Sequence, residues 1–194
     1  MTLNQSSVPL INPCFLSKQP RPPLYESYFG MIIGCSDSMR KVLDDIEKVS
    51  TSDSTVVIYG ESGTGKDLVA KTIHLNSTRR DCPFVPVACA EISDILMESE
   101  LFGHDRGAFT GAVNSRTGLF ELVQDGTILF EEIGDMGPVL QSKLLRVIHE
   151  RQFRRLGSND FIGFRARIIC TTNKDLQMAV REKRFREDLL HRLR

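Results

Sequence analysis

Three observations predict an α/β fold built on a parallel sheet. Short apolar runs alternate with helical patterns from residue 29 onward. One run, Thr55-Val56-Val57-Ile58-Tyr59, leads into Gly60-Glu61-Ser62-Gly63-Thr64-Gly65-Lys66-Asp67 and then into a helical pattern through Leu68, Val69, Ala70, Ile73 and His74. A later run, Thr127-Ile128-Leu129-Phe130, ends in the adjacent carboxylates Glu131 and Glu132. Alternating strands and helices require crossover connections, and crossovers favour parallel pairing.

The elements follow in order. Residues 1–28 are polar and carry Pro9, Pro13, Pro20, Pro22 and Pro23, which reads as a flexible leader. The other reading is an arm docked through Val8, Leu10, Ile11 and Phe15. The domain is expected over 29–194. Ser36 can cap a helix that presents Met39, Val42, Leu43, Ile46 and Val49 on one face. After the glycine loop and its helix, Phe84-Val85-Pro86-Val87-Ala88 reads as a strand despite its proline, followed by a helix with Ile92, Ile95 and Leu96 on one side.

Between Glu98 and Thr117 the periodicity stops and a long glycine-punctuated loop is expected. Gly107 and Gly111 frame Phe109 and Thr110, so the ring would sit at a loop tip, suited to a partner contact or to a plain surface turn. After strand 127–130 comes a helix over 138–150, opened by Pro138, with Leu140, Leu144, Leu145 and Ile148 inward. A fourth strand, Ala166 to Thr171, ends in Thr172-Asn173. Two short helices, around Leu176 to Val180 and Arg186 to Leu193, finish the chain.

Composition narrows the function. The 194 residues are 41% hydrophobic, enough for one domain with a core. The 25 basic and 25 acidic side chains cancel, so no global field draws the chain to nucleic acid or an anionic membrane. Cysteines at 14, 35, 82, 89 and 170 lack the pairing of a zinc site or disulfide framework. No stretch approaches the roughly 18 apolar residues of a membrane span. The expected compartment is the cytoplasm.

The glycine loop carries the strongest chemistry. Its glycines let successive N–H groups turn toward a polyphosphate, the helix N-terminus adds partial positive charge, and Lys66 can reach the terminal phosphates. Asp67 stands where a hydroxyl usually meets magnesium, so it can hold the metal only through water or not at all. Glu131 and Glu132 can divide labour, one ordering Mg2+ and the other taking a proton from attacking water. Thr172 and Asn173 can bond a phosphate or that water. The tail from Arg181 to Arg194 carries more basic than acidic side chains. Either it is a solvated helix face or it donates an arginine to a neighbouring phosphoryl site, worth roughly 10³ to 10⁵ in rate.

Together, Gly60 to Asp67, Glu98 to Ala112, Gly126 to Met136, Arg167 to Leu176 and Phe185 to Leu193 resemble the AAA+ domain of bacterial sigma-54-dependent transcription activators, the NtrC-like enhancer-binding proteins. The most specific piece is Glu100-Leu101-Phe102-Gly103-His104 with Gly107-Ala108-Phe109-Thr110-Gly111-Ala112. The resemblance implies an αβα sandwich, ATP and Mg2+ as cofactors, and assembly into a ring, usually a hexamer, that acts on sigma-54 RNA polymerase holoenzyme. Ile33, Gly34 and Gly60 to Asp67 would bind nucleotide, and Asp67 and Glu131 the metal. Glu132 would activate water, Thr172 and Asn173 would sense nucleotide, and Arg186 and Arg192 would serve the neighbouring site. Gly107, Ala108, Phe109, Thr110, Gly111 and Ala112 would contact sigma-54.

Three departures stand out. Glu131 replaces the family's magnesium-ordering aspartate. Ala88 replaces an asparagine that in the family is thought to hold the catalytic glutamate until the partner engages. The sequence is expected to end, at Arg194, before the family's helical lid and its helix-turn-helix, so no DNA-reading element is expected. The alternative function is therefore a nucleotide-binding regulatory or decoy homologue impaired in hydrolysis, or a truncated gene remnant.

Overall fold

The computed structural model describes residues 32, 36–90 and 94–194. The expected leader, and the expected nucleotide contacts Ile33 and Gly34, lie outside them. The elements are α1 (Asp37–Ser50), β1 (Val56–Tyr59), α2 (Lys66–Leu75), β2 (Phe84–Ala88), α3 (Asp94–Phe102), β3 (Gly103–His104), β4 (Arg116–Thr117) and α4 (Leu119–Leu122). Then follow β5 (Thr127–Glu131), α5 (Pro138–Glu150), β6 (Gln152–Phe153), β7 (Ile162–Gly163), β8 (Arg167–Thr172), α6 (Leu176–Arg181) and α7 (Glu187–Leu193).

Four strands form a parallel sheet in the order β1-β8-β5-β2. Alternate side chains of its inner strands feed two cores. Leu129 and Ile169 pack with Leu43, Ile46, Ala70 and Ile73 of α1 and α2. Ile128, Phe130, Ile168 and Cys170 point to the other face, against α3, α5, α6 and α7. The result is a three-layer αβα sandwich, as the alternation of elements requires. Pro86 is tolerated because β2 is an edge strand.

Local chemistry explains the element ends. The Ser36 hydroxyl accepts from the Met39 N–H at 3.2 Å and caps α1. Pro138 opens α5, where its missing N–H costs nothing. Below the sheet, the buried Arg167 donates to the carbonyls of Val49 (2.7 Å) and Ser54 (3.3 Å), tying the end of α1 to the start of β8.

Three expectations are corrected. Val42 faces solvent rather than the core. On α3, Ile95 and Leu96 are exposed, while Met97, Leu101 and Phe102 are buried; the expected Ile92 lies outside the described residues. The segment has apolar residues on both helical faces, and an aromatic cluster selects one of them: Phe102 meets Phe120 edge-on at 5.1 Å and Phe153 at 6.2 Å. The segment 98–117 is also not one loop. Its first part continues α3, and β3 and β4 pair antiparallel to make a hairpin whose connection is 105–115.

Candidate functional site

The loop between β1 and α2 has the backbone of a phosphate cradle. Gly63 (φ 78°) and Gly65 (φ 85°) occupy the left-handed region, which side-chain-bearing residues rarely adopt. The Gly60 N–H donates to the Thr172 carbonyl at 3.1 Å, fastening the loop to the end of β8. Among the described residues, no backbone carbonyl accepts the N–H groups of Ser62, Gly63 or Gly65. Those donors fit a polyphosphate. Thr64 uses its hydroxyl inside the loop, on the Glu61 carbonyl at 2.8 Å.

Strand order brings the charged residues together. Because β8 lies between β1 and β5, its end separates and bridges the loop and the carboxylates. The Lys66 side chain is 8% exposed, and its Nζ lies 3.0 Å from Glu132 Oε1. Lys66 also donates to the carbonyls of Gly60 (3.1 Å) and Glu61 (3.0 Å). Glu132 Oε2 accepts from the Asn173 N–H at 2.8 Å, and the Glu132 N–H donates to Thr171 Oγ1 at 3.3 Å. Glu132 itself sits at φ 51°, a left-handed conformation that redirects the chain as β5 ends. Thr172 is fully buried, and its hydroxyl accepts from the Lys174 N–H.

Asp67 is exposed in the first turn of α2, and Glu131 ends β5 opposite Ala88. Among the described residues no three His, Cys, Asp or Glu side chains gather around a metal position. One or two carboxylates that complete their shell with phosphate oxygens and water suit Mg2+ arriving with a nucleotide. The Ala88 methyl offers no hydrogen bond to either carboxylate. Next to it, burial pushes the Cys89 thiol up to about 12, so it stays neutral.

The other expected residues lie apart. Arg186 precedes α7 and pairs with Asp188 through two bonds of 3.0 and 2.7 Å, with a third from Nη1 to Ser142 Oγ at 3.0 Å. Arg192 is exposed and lines a surface cavity of about 350 Å³ with Ser142, Arg146, His149 and Asp188. Among the described interactions neither arginine touches Lys66, Glu132 or Asn173.

At the hairpin connection, Gly107 (φ 83°) and Gly111 (φ 104°) bracket a compact turn. In it Gly107 N–H donates to the Ala112 carbonyl, Ala108 N–H to Asp105, and Ala112 N–H to Phe109. Thr110 is exposed, Ala112 is buried, and the Phe109 side is 37% exposed.

Sequence reasoning missed the brace beneath this turn. Arg155, on the β6–β7 hairpin, holds Glu121 through two bonds of 2.7 Å and lies 3.6 Å from Asp105. The backbone of Leu156 exchanges bonds with Asp105 and Gly103. The only signal was the charge of Arg155 itself, which carries no partner information.

A parallel αβα sheet with a glycine cradle after one strand and a carboxylate after another defines a P-loop NTPase fold of the AAA+ type. The family model of the sigma-54 interaction domain matches residues 32–194, and the chain belongs to that family. It is 51% identical over 165 residues to the regulatory protein AtoC of Escherichia coli K12, covering 85% of this chain and 36% of AtoC. It is 48% identical over 164 residues to the Nif-specific regulatory protein of Azotobacter vinelandii, covering 84% of this chain and 31% of that protein. The chain thus spans about a third of these relatives. NtrX from Brucella abortus, solved in complex with ATP, superposes with a TM-score of 0.77 at 37% identity over 86% of this chain and 37% of NtrX. The P-loop NTPase domain of a sigma-54 activator from E. coli shares the fold, with a TM-score of 0.55 at 17% identity over 83% of this chain and 92% of that one.

Proposed function

We propose that the chain binds ATP with Mg2+ and couples ATP hydrolysis to remodelling of sigma-54 RNA polymerase for transcription activation, as a subunit of a cytoplasmic ring. The observation that carries this reading is the Lys66–Glu132 pair beside the Asn173 N–H. Lys66 exchanges Glu132 for phosphate oxygens when nucleotide enters the cradle. The released carboxylate keeps its bond to Asn173 and serves as the base toward water. Asp67, through water, and Glu131 would hold Mg2+, which would supply charge neutralisation to the phosphate oxygens. Arg186 leaves Asp188, and with Arg192 it serves the site of a neighbouring subunit. Residues 107–112 engage sigma-54, led by Phe109 and Thr110. The ATP complex of NtrX supports the nucleotide part, and family membership supports the partner.

Ala88 favours a second reading, a regulatory homologue that binds nucleotide without turning it over. Steady-state ATPase rates of the chain and of Lys66→Ala, with and without sigma-54, separate the two. A rate that depends on Lys66 supports the enzyme. Equal background rates together with retained nucleotide binding by the parent chain leave the second reading.

A further inference from the structure

We propose that His104 is the positioning residue that seats the ring of Phe109 for its partner, with Ser99 of α3 setting the imidazole. The proposal rests on the reading of 107–112 as the sigma-54 contact. Gly107 and Gly111, which bracket the Phe109 turn, sit in open space where an added Cβ would meet nothing within 4 Å, and the ring contact described for Phe109 is the one with His104. An aromatic anchor that must be ordered during binding gives up affinity that a seated one keeps.

His104 supplies a rigid seat. Its strand pairs with β4, and an isolated bridge joins it to Leu156 of the second hairpin. The preceding Gly103 is walled in, since a Cβ there would come within 2.5 Å of the Arg116 carbonyl and 2.6 Å of the Gly118 nitrogen. Ser99, 6% exposed, places its hydroxyl 2.8 Å from His104 Nδ1 and so fixes the ring's rotation. The Phe109 ring meets that imidazole at 5.0 Å between centroids and 67° between planes, an edge-to-face packing. The remaining exposure of Phe109 leaves a side open to a partner. The device is thus a part-buried, hydrogen-bonded histidine on a fixed hairpin, holding an aromatic ring on a glycine-bracketed turn.

The test places 4-fluorophenylalanine at position 109 and follows its fluorine resonance, alongside sigma-54 titrations by fluorescence anisotropy. His104→Ala should move the resonance to its solvent-exposed position and weaken sigma-54 binding about tenfold, an ordering cost of about 1.4 kcal/mol. His104→Phe, which keeps an aromatic face, should recover most of the affinity. In a Phe109→Ala background, His104→Ala should cost nothing more. An unmoved resonance, or losses that add, overturns the proposal. If His104→Ala fails to fold, His104→Asn keeps a partner for Ser99 without the ring and reads the same outcomes. If Phe109→Ala binds sigma-54 like the parent, the contact reading beneath the proposal falls, while the fluorine shift still decides whether His104 seats the ring.

Discussion

Glu132 spends its two carboxylate oxygens on Lys66 and on the Asn173 N–H. Under the proposed function a polyphosphate would compete for the first and leave the second intact, so that Glu132 would oppose nucleotide binding before assisting hydrolysis. Glu132→Gln should therefore tighten nucleotide affinity about tenfold, or about 1.4 kcal/mol, while abolishing turnover. A fluorescent-nucleotide titration paired with a phosphate-release assay checks both; unchanged or weaker affinity would refute the competition. Ala88 stands in register with Glu131, one residue from Glu132. Ala88→Asn adds an amide at that strand end and should change the response of the ATPase rate to sigma-54 more than the rate without it. A response identical to the parent would show that position 88 has no part in control. At this scale the placement of the cradle, Lys66 and both carboxylates at the carboxyl ends of their strands was legible, because the order strand, loop, helix sets it. The contact made by the Asn173 backbone was not, since it depends on β8 lying between β1 and β5, and strand order is a tertiary property.

Strand and helix types were legible where one helical period dominated, as in α1 and α5, or where a short apolar run stood by itself, as in β8. In α3 the helix was legible but its buried face was not, since its two apolar faces can be told apart only by the aromatic cluster that covers one of them. Between elements, two buried groups hold α1 and α2 to the sheet. Arg167 spans from β8 to the end of α1, and its Nη1 has no partner among the described residues. Arg167→Ala should lower stability by about 2–4 kcal/mol, seen as an earlier midpoint in urea, because it removes both carbonyl bonds and leaves a cavity. On α2, His74 is buried against Phe84, and its Nδ1 lies 2.9 Å from the Thr127 hydroxyl. Burial holds its pKa below 6.5, the Arg167 cation adds to this, and the Cys82 backbone opposes it. The unfolded chain then binds the proton more readily than the folded one. The stability contribution is complete above pH 6.5 and is lost as pH falls from there toward the folded pKa. Melting temperatures should drop between pH 7 and pH 5, and His74→Gln should flatten that drop; parallel curves would exclude His74 as the source.

Across the whole molecule, Glu132 and the 105–115 connection are joined by packed elements rather than by direct contact. Glu132 begins the turn Ile133–Asp135 that leads into α5. On α5, Lys143 pairs with Glu98 of α3, and its ammonium lies 5.8 Å from the Phe102 ring centroid. One residue beyond Glu98, Ser99 bonds His104, which packs on Phe109. Under the proposed function, a movement of Glu132 on nucleotide binding would have a continuous mechanical route to that connection, and the Lys143–Glu98 pair is its only cross-link between α5 and α3 among the described ion pairs. Coupling between two sites is a free energy, typically a 5- to 150-fold change in affinity, and it is separable from the affinity of either site alone. Lys143→Met keeps an apolar chain over Phe102 but removes the ion pair. Its nucleotide affinity, and its sigma-54 affinity without nucleotide, should both stay within about twofold of the parent, as expected for a partly exposed pair. The ratio of sigma-54 affinities with and without a non-hydrolysable ATP analogue should fall toward one. A ratio equal to the parent's would place the coupling outside the Lys143–Glu98 pair, with the second hairpin, through Arg155 and Glu121, as another bridge to the loop.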